Sequence, residues 1–302
     1  MIAREAAQGV RAGRVRAATR TAAAATRSWR RVRQLAYDVT GLAVAVVMLF
    51  PIYWMVATAF KPGVDILRLE PKWFPNPITF QNFQDAIERP FFLDDVRNSL
   101  LIVGVMLVLA LLIAFLAAVA TARFGFKGRN AYLVMIIGVQ MVPLNALIIP
   151  LYLMLDRVGQ TDALAGVIAV YLAVVLPFMV WTLRGFVANI PAELEESAMI
   201  DGCTRVGAFF RITFPLVGPG LVATAIFGFI QAWNEYIVAY VLLSSPNNQT
   251  LTVWLASFTT NHGPQWGPLM AAATLTGLPV VAFFLVLQRY LAGGLTAGAV
   301  KG

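Results

Sequence analysis

The chain has 302 residues, 59% hydrophobic and only 13% charged, with a mean hydropathy of +0.74. Soluble domains carry about 25% charged residues, so this balance excludes an ordinary soluble domain and points to the membrane. The net charge of +8 is assigned to topology and lipid headgroups rather than to nucleic acid. One cysteine, Cys203, and one histidine, His262, exclude an intrachain disulfide and a multi-histidine metal site.

Residues 1–36 form a basic tail, nine Arg against the single acid Glu5. It lacks the short apolar stretch and small-residue cleavage site of a secretory signal. Stretches without Asp, Glu, Lys or Arg then recur at 39–60, 98–122, 130–155, 163–183 and 212–234, and between Glu235 and Arg289 His262 stands alone. Each approaches or exceeds the roughly 20 residues that a helix needs to cross the hydrocarbon. Only helices and closed barrels satisfy their backbone in lipid, and stretches this long are helical. The expectation is an all-α membrane protein with six transmembrane helices at 39–60, 99–122, 131–155, 163–184, 217–241 and 268–291.

Basic residues in short flanks orient the chain. The tail, the loop 123–130 with Arg123, Lys127 and Arg129, and the C-terminal end with Arg289 and Lys301 are basic, whereas 61–98 and 156–162 are of mixed sign. Both termini and the loops 123–130 and 185–216 are therefore expected in the cytoplasm. The organisation reads as a basic tail (1–36), a first transmembrane helix with an external segment (37–98), a core of five further helices (99–291) and a C-terminal tail (292–302). In the external segment, Pro71, Pro75 and Pro77 keep the chain irregular until a short amphipathic helix from Thr79 to Glu88, lying on the bilayer, with Phe80, Phe83 and Ala86 on one face. Prolines 51, 143, 150, 177, 219 and 279 fall within the spans, where neighbours or water satisfy the freed carbonyls.

The loop 185–216 is the most specific region. Pro191 and the acids Glu193, Glu195 and Glu196 mark a helix start. Gly202 ends that helix, Thr204 caps a second, and Pro215 ends the second in turn. The expected result is two short helices joined at a glycine, lying across one mouth of the bundle and suited to touch another protein.

Here a resemblance emerges. Glu196-Ser197-Ala198, three residues, Gly202, nine residues and Ile212-Thr213-Phe214-Pro215 are similar to the Glu-Ala-Ala signature of importer permeases of the ATP-binding cassette (ABC) class. Ser197 and Phe214 replace the usual Ala and Leu. Trp233-Asn234-Glu235-Tyr236 and the ending Gly294-Leu295-Thr296-Ala297-Gly298-Ala299-Val300-Lys301-Gly302 resemble the smaller permease subunit of maltose-type sugar importers. The likeness covers roughly 37–302 and leaves the Arg-rich start outside.

The resemblance implies a type I ABC importer permease fold in the bacterial inner membrane, with 185–216 as a coupling-helix loop. It implies a second permease subunit forming a heterodimer, two cytoplasmic ATPase subunits that bind ATP and Mg, and an external sugar-binding protein, with no cofactor on this chain. Glu195, Glu196, Ser197, Ala198, Asp201, Gly202, Ile212 and Pro215 would make the ATPase contact. Ala299, Val300 and Lys301 would reach toward the ATPase, and the loop 242–267 would face the binding protein.

The residues add their own constraints. The four lysines, Lys61, Lys72, Lys127 and Lys301, lie outside any Gly-rich phosphate loop, so the motor is expected on another chain. Gln231, Asn234 and Glu235 are spaced to share one helical face. A carboxylate in a span is costly and faces a cavity or a partner, so these three are pathway candidates, with Gln140 and Asn145 beside Pro143 in second rank. An interhelical anchor without substrate contact is the alternative for Glu235. Tyr171, Trp181, Trp233 and Tyr236 are aromatic candidates for stacking a sugar. The competing functional reading is an ion-coupled secondary sugar carrier, for which Glu235 would be the one acid within a span.

Overall fold

The computed structural model describes residues 33–298, with side chains as far as Tyr290. The tail 1–32 and the expected ATPase contacts Ala299, Val300 and Lys301 lie outside the described residues. Two compact units divide the chain, Met1–Ala57 and Thr58–Gly302. The first holds most of helix α1 (Arg33–Ala59), which is long and apolar enough to cross a membrane.

In the second unit the segment between α1 and the next long helix carries α2 (Gly63–Ile66) and α3 (Gln81–Ile87). Asp65 is buried there and paired with Lys72 at 2.6 Å. Of the face expected on α3, Ala86 is fully buried and Phe83 half-buried, while Phe80 is exposed; beside them Asn82 Nδ2 donates to the carbonyls of Ala59 and Lys61, both at 2.8 Å.

The core is built on α4 (Phe92–Arg123) and α7 (Leu164–Ala188). On α4, Ile102, Met106, Ala110, Ala114 and Ala118 recur every fourth residue and are fully buried. On α7, Val167, Tyr171, Val175, Met179, Leu183 and Val187 do the same. Such i±4 rows form the ridges that interdigitate between packed helices. In lipid, where burial of apolar area gives no net drive, small residues such as the three alanines permit the close approach that holds helices together. Helix α10 (Phe214–Trp233) packs on both, and α13 (Trp266–Gly298) on α10 through stacked Phe229 and Phe283, 4.1 Å between centroids.

Two of the six expected spans are broken. The stretch 131–155 is not one helix but α5 (Arg129–Gln140) and α6 (Leu144–Arg157), meeting at 100°. Pro143 has no N–H and disfavours helix at Val142. The chain tightens instead, Met141 and Val142 amides bonding three residues back to Gly138 and Val139. Among the described residues, five helices are thus long and apolar enough to span, or six if the bent pair counts as one.

The stretch 217–241 also fails to run through. Helix α10 stops at Trp233, and α11 (Ile237–Leu242) begins only after Tyr236. Beyond it lie α12 (Leu251–Ala256) and a two-stranded antiparallel hairpin, β1 (Thr259–Thr260) with β2 (Gly263–Pro264), paired Thr259 to Pro264. Asn261 and His262 form its exposed tip.

Candidate functional site: the loop between α7 and α10

The two-helix loop forms as its residues require. Helix α8 (Glu193–Ile200) carries three acids in its first turn, where the helix dipole favours negative charge. Ser197 Oγ donates to the Glu193 carbonyl at 2.8 Å. At the far end Gly202 adopts φ +92°, a left-handed conformation that a side chain strains, and Cys203 N bonds back to the Ala198 carbonyl at 3.0 Å. Thr204 Oγ1 then accepts the Gly207 amide at 3.1 Å and caps α9 (Arg205–Ala208).

Pro215 does not end this second helix. Helix α9 continues through a π-helical turn at Phe209–Thr213 into α10, one rod of 29 residues from Arg205 to Trp233 and about 43 Å long. The wider turn absorbs the amide that Pro215 lacks, and local π or 3₁₀ adjustment is how membrane helices tolerate proline. The second loop helix and the span are therefore a single lever.

The neighbouring glutamates have separate environments. Glu195 faces inward: Arg123 Nη2, at the end of α4, lies 3.2 Å from its Oε1, as an ion pair without hydrogen-bond alignment, and Thr213 Oγ1 donates to the same oxygen. Arg123 Nη1 also holds the Ile190 carbonyl at 3.0 Å. Glu195 thus ties α8 to α4 and to the base of α10. Glu196, Asp201 and Gly202 are exposed, and Glu196 makes no side-chain hydrogen bond or ion pair among the described residues. Ile200, 86% exposed, and Val206, 66% exposed, stand beside them on either side of the glycine turn. Ala198 and Ile212 are partly buried, while Ser197 and Pro215 are exposed.

Sequence reasoning assigned Arg123 to topology only and did not single out Thr213. It also missed an open apolar groove of about 580 Å³ beside the loop, walled by Ala120, Phe124, Met199, Val206, Phe209 and Phe210. Arg205 lies over the Phe124 ring at 5.5 Å there. The adjacent pair Phe209-Phe210 was the signal in the sequence.

The pathway candidates do not form one face. Gln231 is on α10, Asn234 caps its end with Nδ2 on the Ile230 carbonyl at 2.9 Å, and Glu235 lies in the break beyond. Gln231 and Asn234 are exposed. The Glu235 carboxylate accepts the Val238 amide on both oxygens at 2.9 and 3.1 Å, the Ala239 amide at 3.2 Å and the Tyr171 hydroxyl at 2.8 Å. Three donors hold this carboxylate, the Val238 amide being shared between its two oxygens, so Glu235 ties α7 to α11 as an interhelical anchor, while Oε1 carries that one bond only. Tyr171 and Trp233 are buried, Trp233 Nε1 donating to the Thr276 carbonyl at 3.1 Å, so neither offers a face for stacking. Trp181 is exposed and Tyr236 half-buried. Gln140 and Asn145 are exposed on either side of the bend, and Gln140 borders a groove of about 340 Å³ between Val139, Pro143, Leu147 and Val174.

At the end of α7 away from the loop, Asp162 (φ 54°) organises the segment after α11. Its carboxylate accepts the Ser244 amide at 3.0 Å, the Ser245 amide at 2.9 Å and the Ser245 hydroxyl. Burial pushes this carboxyl up, but the hydrogen bonds of Ser245, Asn248 and Ser244 together outweigh it and hold it below the usual carboxylate range.

Known proteins share this architecture. Residues 107–296 match the family described as the binding-protein-dependent transport system inner membrane component. The chain is 45% identical over 265 residues to the diacetylchitobiose uptake system permease protein DasC of Streptomyces coelicolor, covering 88% of this chain and 96% of that one. It is 33% identical to the arabinooligosaccharides transport system permease protein AraQ of Halalkalibacterium halodurans, covering 86% and 93%. Among solved structures, a chain of a bacterial ABC transporter that imports the acidic polysaccharide alginate superposes with a TM-score of 0.72 at 21% identity, covering 86% of this chain and 96% of that one. Nothing in these relatives supports an ion-coupled carrier.

Proposed function

The chain belongs to the family of inner membrane components of binding-protein-dependent transport systems, and from that premise we propose that it forms half of the pathway of an importer for a di- or oligosaccharide, worked by separate ATPase subunits. The cargo class is supported by the relatives named for diacetylchitobiose and arabinooligosaccharides. The observation that carries the mechanism is the division of labour at Glu195 and Glu196. One acid locks the loop to α4 and α10; the other is exposed and has no partner among the described residues, next to exposed Ile200 and Val206.

This is a rigid knob whose Glu196 charge is unpaired among the described residues, suited to a cleft on a cytoplasmic ATPase. The loop continues without a break into α10, so a displacement of the knob tilts the span rather than being lost in a flexible joint. ATP binding by the ATPase favours one arrangement of the paired permeases over the other through contacts made better in that state. The exposed bend at Met141–Pro143, with Gln140 and Asn145 at its sides, is the surface offered to the second permease and the pathway. Purification in mild detergent, with identification of every copurifying chain, tests the reading: a second permease and an ATPase support it, and a stable homogeneous preparation of this chain alone counts against it.

A further inference from the structure

The two helices that flank the loop are joined a second time, at their other ends. Tyr171 sits on α7 about 26 Å before the helix reaches the loop at Ala188, and Glu235 lies just past Asn234, the residue that ends the α9–α10 rod. Tyr171 Oη donates to Glu235 Oε2 at 2.8 Å. The same carboxylate caps α11, and the Glu235 backbone carbonyl accepts Thr252 Oγ1 at 2.8 Å, which brings in α12. The start of α12 and the segment before it are in turn held on α4: Leu251 N donates to Ser99 Oγ at 2.8 Å, and Asn98 Nδ2 reaches the Asn247 and Gln249 carbonyls at 2.9 and 3.0 Å. The break at 234–236 has no proline to stiffen it, and side-chain bonds of Asn234 and Glu235 hold its two sides.

We propose that the Tyr171–Glu235 pair is a pivot that carries displacement of the loop at 193–213 to the segment 243–252 at the opposite end of the bundle, Glu235 acting as a positioning residue for transport. The inference rests on the reading that an ATPase moves the loop. Two rods fixed together at both ends move as one frame. With the far joint released, a tilt of α10 is absorbed by the break after Trp233 and does not reach α12. Both members of the pair are engaged by protein partners, which fits a mechanical task.

The test uses the complex as it copurifies, in nanodiscs, with Cys203→Ser removing this chain's one thiol and Asn247→Cys, at an exposed position on the far segment, carrying a spin label, the same complex without Asn247→Cys serving as the blank for thiols of the other chains. Mg-ATP with vanadate is the probe. In the parent complex the label's distance to its surroundings or its mobility shifts on trapping. In Tyr171→Phe, which removes a single oxygen, and in Glu235→Gln, the shift falls below half, while the thermal midpoint stays within a few degrees of the parent. The double variant behaves no worse than the weaker single one, as two ends of one bond do. A full shift in both single variants overturns the pivot. Absence of any shift in the parent instead removes the ATPase-driven reading beneath it. If Glu235→Gln fails to assemble, Tyr171→Phe alone carries the test.

Discussion

Replacing Glu195 or Glu196 by alanine changes neighbouring carboxylates in one short helix, yet the outcomes diverge. Glu195→Ala removes the hydrogen bond from Thr213 and the ion pair with Arg123, whose partners are only 14% and 16% exposed. A hydrogen bond to a charged group contributes about 1.5–3 kcal/mol. Stranding a buried charge costs about 3–5 kcal/mol, but Arg123 keeps the Ile190 carbonyl and reaches solvent in part, so a net loss of roughly 2–3 kcal/mol is expected. At about 2–4 °C per kcal/mol this lowers the thermal midpoint by roughly 5–10 °C. Glu196→Ala touches no internal partner among the described residues, and its effect stays within about 0.5 kcal/mol. Thermal unfolding of the two variants in the same detergent decides the first half. Pull-down of the copurifying ATPase decides the second, with Glu196→Ala losing the partner at unchanged stability. Equal midpoints for the two variants, or a larger drop for Glu196→Ala, would refute the assignment of inner strut and outer contact.

Gly202→Val forces a β-branched residue into the left-handed region, at about 1–2 kcal/mol, and misaims α9; ATPase binding falls while the spans stay folded, checked by pull-down and circular dichroism. At Gly220 an added Cβ would lie 2.5 Å from Phe186 Cγ and 2.9 Å from its Cβ, so Gly220→Ala pushes α10 from α7 and costs about 1–3 kcal/mol, read as a lowered thermal midpoint that Phe186→Ala partly restores. For Asp162 the sign follows from its lowered folded-state value: its contribution is full above the unfolded value near 3.8 and is lost only as pH falls through the lower folded one. Hydrogen exchange at the Ser244 and Ser245 amides therefore stays slow from pH 5 to 8 and opens in strong acid, whereas Asp162→Asn opens it at neutral pH.

The all-helical membrane class and the loop were legible because each has a local cause. The acids after Pro191, the glycine turn at 202 and the Thr204 cap act within a few residues, and the structure places each as expected, while the charge-free stretches mark the apolar helices but not the breaks inside two of them. What was not legible depends on tertiary contact. The ridge at Ile102, Met106, Ala110, Ala114 and Ala118 is apolar, but so is the lipid face of α4, and hydropathy cannot separate two apolar faces. The break after Trp233 carries no proline or glycine; it exists because Glu235 finds Tyr171, 64 positions earlier in the chain, and caps α11. Spacing alone put Gln231, Asn234 and Glu235 on one helical face, and the end of the helix between them dissolved that face. Conversely, Pro215 signals a helix end, and the π turn overrides it.

The central claim is that this polypeptide conducts sugar only when a separate ATPase moves its loop. The most direct measurement is uptake, into sealed vesicles, of a radiolabelled sugar retained by the copurifying binding protein, comparing this chain alone with the full copurified complex. Accumulation only in the full complex, with Mg-ATP on the loop side and the binding protein on the other, is the predicted result. Accumulation by this chain alone, driven by an ion gradient and without any ATPase, would contradict it.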